Sequence, residues 1–292
     1  MKRLTASEII FKIIAYTLLT IFAIFCLYPF VYAVSSAVSG RGAMDTGKVI
    51  LFPVDFQTEA LVYTFTKKQF WLCYSNTLFL TLYGTLWAMF VSMFGAYALS
   101  KTRIPFNKTF NFLLVFTMWF SAGLFATKLN YEQSRDVFTK LGIGDQKWLV
   151  VIAMGIAAYN IILLRNAFNG VPKEIEEAAT VDGANEFQIA TKVYFPMSKA
   201  SIATVALFYG ISRWNGYFWA AKIIQNEYQK PLQVFIRQEL EQIELTDFSS
   251  LPFSQYSYFY CMIVAAIIPI IIIYPFIQKY FAAGVNLGGV KE

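Results

Sequence analysis

The 292-residue chain contains no histidine. That removes the side chain most used for proton transfer and metal ligation near neutral pH. Acidic residues are missing where an ion-driven carrier would need them. Six long stretches, Ile13–Gly40, Gln69–Ser100, Thr109–Thr127, Trp148–Leu164, Ala200–Ser212 and Phe248–Gln278, hold neither Asp nor Glu. Proton- and sodium-coupled transporters place such groups inside the membrane, and no inverted repeat stands out. An ion-coupled secondary transporter is therefore the second reading of this chain. Cys26, Cys73 and Cys261 are scattered, without paired or metal-binding spacing. Neither H-E-x-x-H nor G-x-S-x-G occurs, and no acid–base pair lies within a span, which argues against an intramembrane enzyme.

Charge as a whole is scarce. Charged residues make up 14% of the chain and hydrophobic ones 57%, with a mean hydropathy of +0.51. An ordinary soluble domain carries about 25% charged residues, so the chain is read as membrane-embedded, with no nucleic-acid partner. A spanning helix needs roughly 17–25 mostly apolar residues. The uncharged stretches supply six such spans, at 13–36, 72–100, 107–127, 148–167, 198–220 and 255–279. The fifth is the weakest, because Arg213 interrupts it. The expected architecture is an all-α membrane protein, a single domain over 1–292. A secretory signal peptide is the competing reading of the first run, with "AVSSA" (33–37) as its cleavage site. That run exceeds a signal core of roughly 7–15 residues, and a retained helix is expected.

Orientation follows from Lys and Arg in short loops. Lys2, Arg3 and Lys12 at one end, and Lys101, Arg103 and Lys108 in "KTRIPFNK", place the N-terminus and the 101–108 turn in the cytoplasm. Loops near 41–68, 128–147 and 222–247 then face outward, while 168–198 and the tail "VNLGGVKE" face inward. Trp71, Trp148, Trp214 and Trp219 fall at the outer ends of spans, where an aromatic belt is expected. Ser92, Ala96 and Ser100 recur every fourth residue, a spacing of small residues that lets helices approach closely, within this chain or against a partner.

The inward segment "PKEIEEAATVDGANEFQIATKVYFP" (172–196) is more charged and longer than a turn requires. Pro172 suits a first helical position, and Glu174, Glu176 and Glu177 suit the positive end of a helix dipole. Gly183 is placed for a left-handed stop, with a second helix from Ala184 to about Tyr194, ending at Pro196. Periodicity alone reads the segment equally well as a docking surface or as a solvated linker.

Its residues carry a resemblance. Glu177-Ala178-Ala179, then Gly183, then Val193-Tyr194-Phe195-Pro196 resembles the signature of permease subunits in bacterial ABC importers. Val193 and Phe195 stand where that family has Ile and Leu, a departure that keeps the apolar character. "SNT" (75–77), "WNGYF" (214–218) and the ending "QKYFAAGVNLGGVKE" are similar to the carbohydrate branch, in particular the smaller permease subunit of maltose-type importers, and extend the likeness over nearly the whole chain. Within the branch the chain looks most like permeases for complex oligosaccharides and polysaccharide fragments.

The resemblance implies a multi-pass permease of the bacterial cytoplasmic membrane with both termini inside. It implies a second permease subunit, two copies of a cytoplasmic ATPase and an extracytoplasmic solute-binding protein as partners. ATP and magnesium would sit on the ATPase, and this chain would carry no cofactor, no metal and no catalytic residue. Glu177, Ala178, Ala179, Gly183 and Pro196 would form the segment that couples ATPase closure to the membrane helices. The outer loop 222–247 would meet the binding protein. "GAMDTGKV" (42–49) has the G-x-x-x-x-G-K spacing of a phosphate loop, but Val49 replaces the Ser or Thr that binds magnesium.

Substrate residues are harder to read. Arg213 interrupts a span, and Trp214, Asn215 and Tyr217 after it offer ring faces and an amide of the kinds that hold sugars. The functional reading puts these four on the substrate path, with Asn76 and Trp119 as companions. A guanidinium there would suit an acidic oligosaccharide such as a uronate fragment. The alternative is that Arg213 reaches the outer interface and the aromatic residues join the belt.

Overall fold

In the computed structural model, residues 5–120, 146–242 and 248–285, with positions 136, 137 and 140, are described below. Their regular secondary structure is helical, apart from one isolated bridge between Ser39 and Phe56. The chain divides into two compact units, residues 1–70 with 236–269, and residues 71–235 with 270–292.

The first unit begins with α1 (Ala6–Ala37). Thr5 caps it: the Glu8 N–H donates to the Thr5 hydroxyl at 3.4 Å, and the Thr5 N–H to the Glu8 carboxylate at 2.7 Å. The helix begins seven residues before the expected span because this box lies beyond the apolar run. Short helices α2 (Arg41–Asp45) and α3 (Glu59–Thr66) follow. Here "GAMDTGKV" becomes a helix and turn with Val49 buried, and no strand precedes it. Arg41 donates to the carbonyls of Ser249 and Leu251, both at 2.9 Å, and Ser254 donates to Asp45 at 2.6 Å. Polar side chains thus fasten this segment to residues 249–254.

The second unit holds most of α4 (Lys68–Ser100), α5 (Asn107–Trp119), α6 (Gln146–Ala153), α7 (Ala158–Asn169), α8 (Lys173–Val181), α9 (Glu186–Ile189), α10 (Lys199–Trp214) and α11 (Tyr217–Ile223). Helix α12 (Leu232–Gln242) and the last helix α13 (Gln255–Val285) each run from one unit into the other along the chain. Among the described residues, Ser7–Ala37, Lys68–Ser100 and Gln255–Pro275 are long and apolar enough to cross a membrane.

Two expected spans are broken. The stretch 148–167 divides at Met154–Ala157, where Gly155 takes φ +62°. The stretch 198–220 divides at Asn215–Gly216. A Cβ at Gly216 would lie 2.6 Å from the Met154 methyl carbon, so the two breaks pack closely and a larger residue there would have to displace the Met154 side chain. Hydropathy marked both stretches as apolar, but their glycines decide where the helices stop. The expected span 107–127 begins as α5 and continues into residues outside those described.

A large apolar cluster of this unit joins α4, α7, α10 and the 172–196 segment. Ala88, Ala96, Leu164, Phe168, Ile189, Tyr194 and Val205 are all buried there. Ser92 is fully buried and shares a 2.7 Å hydrogen bond with the Tyr209 hydroxyl, so the Ser92–Ala96 part of the small-residue stripe is a seam within this chain.

Candidate functional site

The segment 172–196 lies against the end of α4. Pro172 precedes α8 as its cap rather than opening the helix, and α8 ends at Val181 with Asp182 as its C-terminal cap. Gly183 takes φ +79° with no atom within 4 Å of where a Cβ would stand. Its necessity is therefore a matter of backbone conformation alone. The second helix starts two residues later than expected, because Asn185 caps it: the Gln188 N–H donates to the Asn185 side chain at 2.9 Å and the Asn185 N–H to the Gln188 side chain at 3.0 Å. After Ile189 the backbone loosens into one π-helical stretch (Ala190–Tyr194) and then continues through Phe195–Met197. That stretch directs Val193 and Phe195 towards the apolar cluster, where the Phe195 ring stacks 5.9 Å from Phe168. The apolar–x–apolar spacing before Pro196 thus seats the elbow, while Pro196 itself stays exposed.

Neighbouring glutamates of α8 do different work. Glu176 turns inward: its carboxylate lies 2.8 Å from the Lys101 ammonium, 3.6 Å from Arg103, and accepts from the Tyr194 hydroxyl at 2.6 Å. Lys101 is 7% exposed, and its ammonium stands 3.8 Å from the centre of the Tyr194 ring and 4.6 Å from that of Tyr97. Glu186 adds a pairing with Arg103 and accepts from the Tyr97 hydroxyl at 2.8 Å. Burial alone would raise the Glu176 pKa, but Lys101, Tyr194 and Arg103 outweigh it and hold the carboxyl below its ordinary value. Burial pulls the Lys101 ammonium below its usual value, only partly offset by Glu176. The Tyr194 hydroxyl is pushed up, first by burial and then by its carboxylate partner. Sequence reasoning missed this network. The basic turn "KTRIPFNK" and the acidic helix signalled it, but the turn was read for orientation only.

Glu177, one residue on, is exposed and forms no ion pair among the described residues. Ala178 is exposed with it, while Ala179 packs on the apolar cluster. Val181 is 87% exposed at the end of the same helix. A groove of about 750 Å³ lies beside them, lined by Lys101, Arg103, Lys173, Glu176 and Glu177 among others. Helix α8 therefore has one face anchored by charge and another left bare.

The residues expected on a substrate path separate into different environments. Arg213 is 5% exposed, and its guanidinium donates to the Met154 carbonyl at 2.9 Å and also to the Gly155 carbonyl. It satisfies the carbonyls left by the first helix break, which accounts for a charge in this span without any ligand. Trp214 is 6% exposed and meets Tyr74 edge-on at 6.1 Å, so it leaves the expected aromatic belt. Asn215 donates to Ile211 of its own helix at 3.0 Å, and Tyr217 and Trp119 are exposed. Asn76 is buried and donates to the carbonyls of Tyr228 and Lys230 at 2.8 and 3.1 Å. Thr77 beside it accepts from the Leu232 N–H at 2.7 Å. "SNT" therefore clamps the expected outer segment. Gln146 extends the clamp by accepting from the Gln225 N–H at 2.7 Å.

The family model for the inner membrane component of binding-protein-dependent transport systems matches residues 2–287. The chain belongs to that family. It is 34% identical over 288 residues to the polygalacturonan/rhamnogalacturonan transport system permease protein YtcP of Bacillus subtilis (strain 168), covering 97% of this chain and 98% of the relative. The crystal structure of a bacterial ABC transporter involved in the import of the acidic polysaccharide alginate contains a chain that matches at 39% identity with a TM-score of 0.85, covering 96% of this chain and 100% of that one. A chain of a bacterial alginate ABC transporter in complex with alginate pentasaccharide-bound periplasmic protein matches at 14% identity with a TM-score of 0.67, over 92% of this chain and 93% of that one, a likeness of fold alone. The permease is thus a membrane subunit of an ABC sugar importer, as its Glu-Ala-Ala segment implied. Its helical architecture is the fold expected from that resemblance.

Proposed function

We propose that this permease forms one half of a translocation pathway with a second permease subunit, driven by two copies of a cytoplasmic ATPase and supplied by an extracytoplasmic binding protein. The carrying observation is the two-faced α8, in which Glu176 is held inward by Lys101 while Glu177, Ala178 and Val181 remain exposed. An exposed carboxylate beside a bare apolar residue suits a cleft with a basic rim on the ATPase. The rigid attachment behind it lets movement of that cleft drag the end of α4. Both termini and this segment are cytoplasmic in this arrangement, and the protein lies in the bacterial inner membrane. The permease performs no chemistry and holds no cofactor; ATP and magnesium are bound by the ATPase. The test is co-purification with the ATPase, with Glu177→Lys expected to weaken the complex at least tenfold and Glu174→Lys to leave it intact. Equal retention of the ATPase by Glu177→Lys would refute this docking face.

The cargo in this reading is an oligosaccharide of uronic-acid type. Support comes from the two relatives, one named for polygalacturonan and rhamnogalacturonan and one described as an importer of alginate. Arg213 adds no direct two-pronged grip to that argument, since two of its nitrogens already hold carbonyls. Comparing the affinity of the cognate binding protein for trigalacturonate and for maltotriose tests it. Tighter binding of maltotriose would overturn the acidic assignment.

A further inference from the structure

A cavity of about 410 Å³ opens where α6 breaks from α7, faced by α10. Its volume lies towards the lower end of small-molecule sites, roughly 300–1,000 Å³. Asn160 borders it and is 5% exposed, yet its side-chain amide makes no hydrogen bond among the described residues. The two other hydroxyl and cationic groups nearest in chemistry are occupied. The Tyr209 hydroxyl bonds Ser92 at 2.7 Å and accepts from the Ala157 N–H at 3.1 Å, and Arg213 holds the carbonyls of Met154 and Gly155. A buried amide is costly to leave without partners; the Tyr159 and Ser212 hydroxyls beside the cavity belong to exposed residues, whereas Asn160 is buried. Tyr159 and Phe208, also bordering the cavity, have ring centres 6.3 Å apart.

We propose that this cavity is a saccharide subsite of the permease, an inference that rests on the sugar-importer reading. The Asn160 amide, donor and acceptor at once, takes vicinal ring hydroxyls. The Tyr159 and Phe208 rings meet the C–H face of the sugar. Arg213, fixed by two carbonyls, gives the cavity a positive wall that favours a uronate over a neutral ring without moving. No acidic side chain borders the cavity to oppose it. A carbonyl-filled guanidinium is thus a field rather than a clamp, and the discriminating contact is the amide.

The test uses the complete importer in liposomes with its binding protein and radiolabelled trigalacturonate. Asn160→Leu is expected to lower import at saturating binding protein at least tenfold, and to lower retention of the label by the vanadate-trapped complex to the same degree. Asn160→Asp is expected to do so more severely for trigalacturonate than for a neutral trisaccharide, because it sets like charges together. Tyr159→Ala, at a 54% exposed position that does not support the core, guards against a folding artefact and is expected to lower retention severalfold. Unchanged import and retention in Asn160→Leu would overturn the subsite while leaving the importer intact. Loss of the second permease subunit from the Asn160→Leu complex would also overturn it, by giving the amide a protein partner. Failure of the wild-type importer to carry any saccharide would instead refute the underlying reading.

Discussion

The Lys101 ammonium and the Glu176 carboxylate lie 2.8 Å apart, joining the turn after α4 to the helix that carries the Glu-Ala-Ala motif. Both side chains are largely buried, 7% and 16% exposed, and the Tyr194 and Tyr97 rings close over the cation. A pair of this kind is weak evidence for stability in itself, but removing one partner strands the other. Glu176→Gln should therefore loosen the 173–197 segment by about 3 kcal/mol, the lower end for a stranded buried charge. Hydrogen exchange in that segment measures it. Exchanging the two residues, Lys101→Glu with Glu176→Lys, should recover part of the protection that either change alone removes. No recovery would mean that packing of the stems matters more than the pair.

The same pair sets a pH dependence. The Glu176 carboxyl is held below its ordinary value of 4.5, so its stabilisation is complete above that value. It is lost only as pH falls through the depressed folded pKa. Exchange protection of 173–197, corrected for intrinsic rates, should stay flat from about pH 8 to pH 5 and decline below about 4.5. A decline centred near pH 6.5 would point to another group.

Gly183 provides a cleaner test of the elbow, because nothing stands within 4 Å of a new Cβ. Gly183→Val should cost roughly 1–2 kcal/mol of backbone conformation without a clash. The complex should still assemble, while import per ATP hydrolysed falls. Normal coupling in this variant would show that the left-handed turn is dispensable.

Arg213→Gln should lower the thermal stability of the purified permease. Charged hydrogen bonds contribute roughly 1.5–3 kcal/mol each, and two carbonyls lose their donor. The account expects every oligosaccharide to be affected through stability, with acidic cargo losing in addition the positive wall that Arg213 gives the cavity. A selective loss of acidic cargo at unchanged melting temperature would return Arg213 to direct substrate contact.

In the segment expected to face outward, Asn76→Ala with Thr77→Val removes the bonds to Tyr228, Lys230 and Leu232. Each lost bond is worth about 1 kcal/mol. Stimulation of ATP hydrolysis by the binding protein should drop, while basal hydrolysis and assembly persist. Stimulation at the wild-type level would remove this segment from the binding-protein surface.

Much of this was legible in the residues because membrane burial leaves a coarse signal. Long apolar runs gave α1, α4 and α13, and the Glu-Ala-Ala…Gly pattern marked a helix, a left-handed turn and a second helix. Hydropathy cannot see a break inside an apolar run, which is why Gly155 and Gly216 leave no mark in it. It equally cannot see which carbonyls a break exposes, and so the residues alone point Arg213 towards substrate while the fold supplies it with carbonyls 58 and 59 positions away. The same holds for Asn76, whose partners lie more than 150 residues along the chain. The Lys101–Glu176 pair was the opposite case: both halves were noted, each for a local reason, and only the fold joins them.

The central claim is that this chain is the membrane half of an ATP-driven importer, gripped through α8. The most direct measurement is uptake of labelled trigalacturonate into liposomes holding this permease with its second permease subunit, the ATPase and the binding protein. The account predicts uptake that requires ATP and binding protein together, and that falls at least tenfold with Gly183→Val in an assembled complex. Uptake by this chain alone, driven by a proton or sodium gradient and indifferent to ATP, would contradict it.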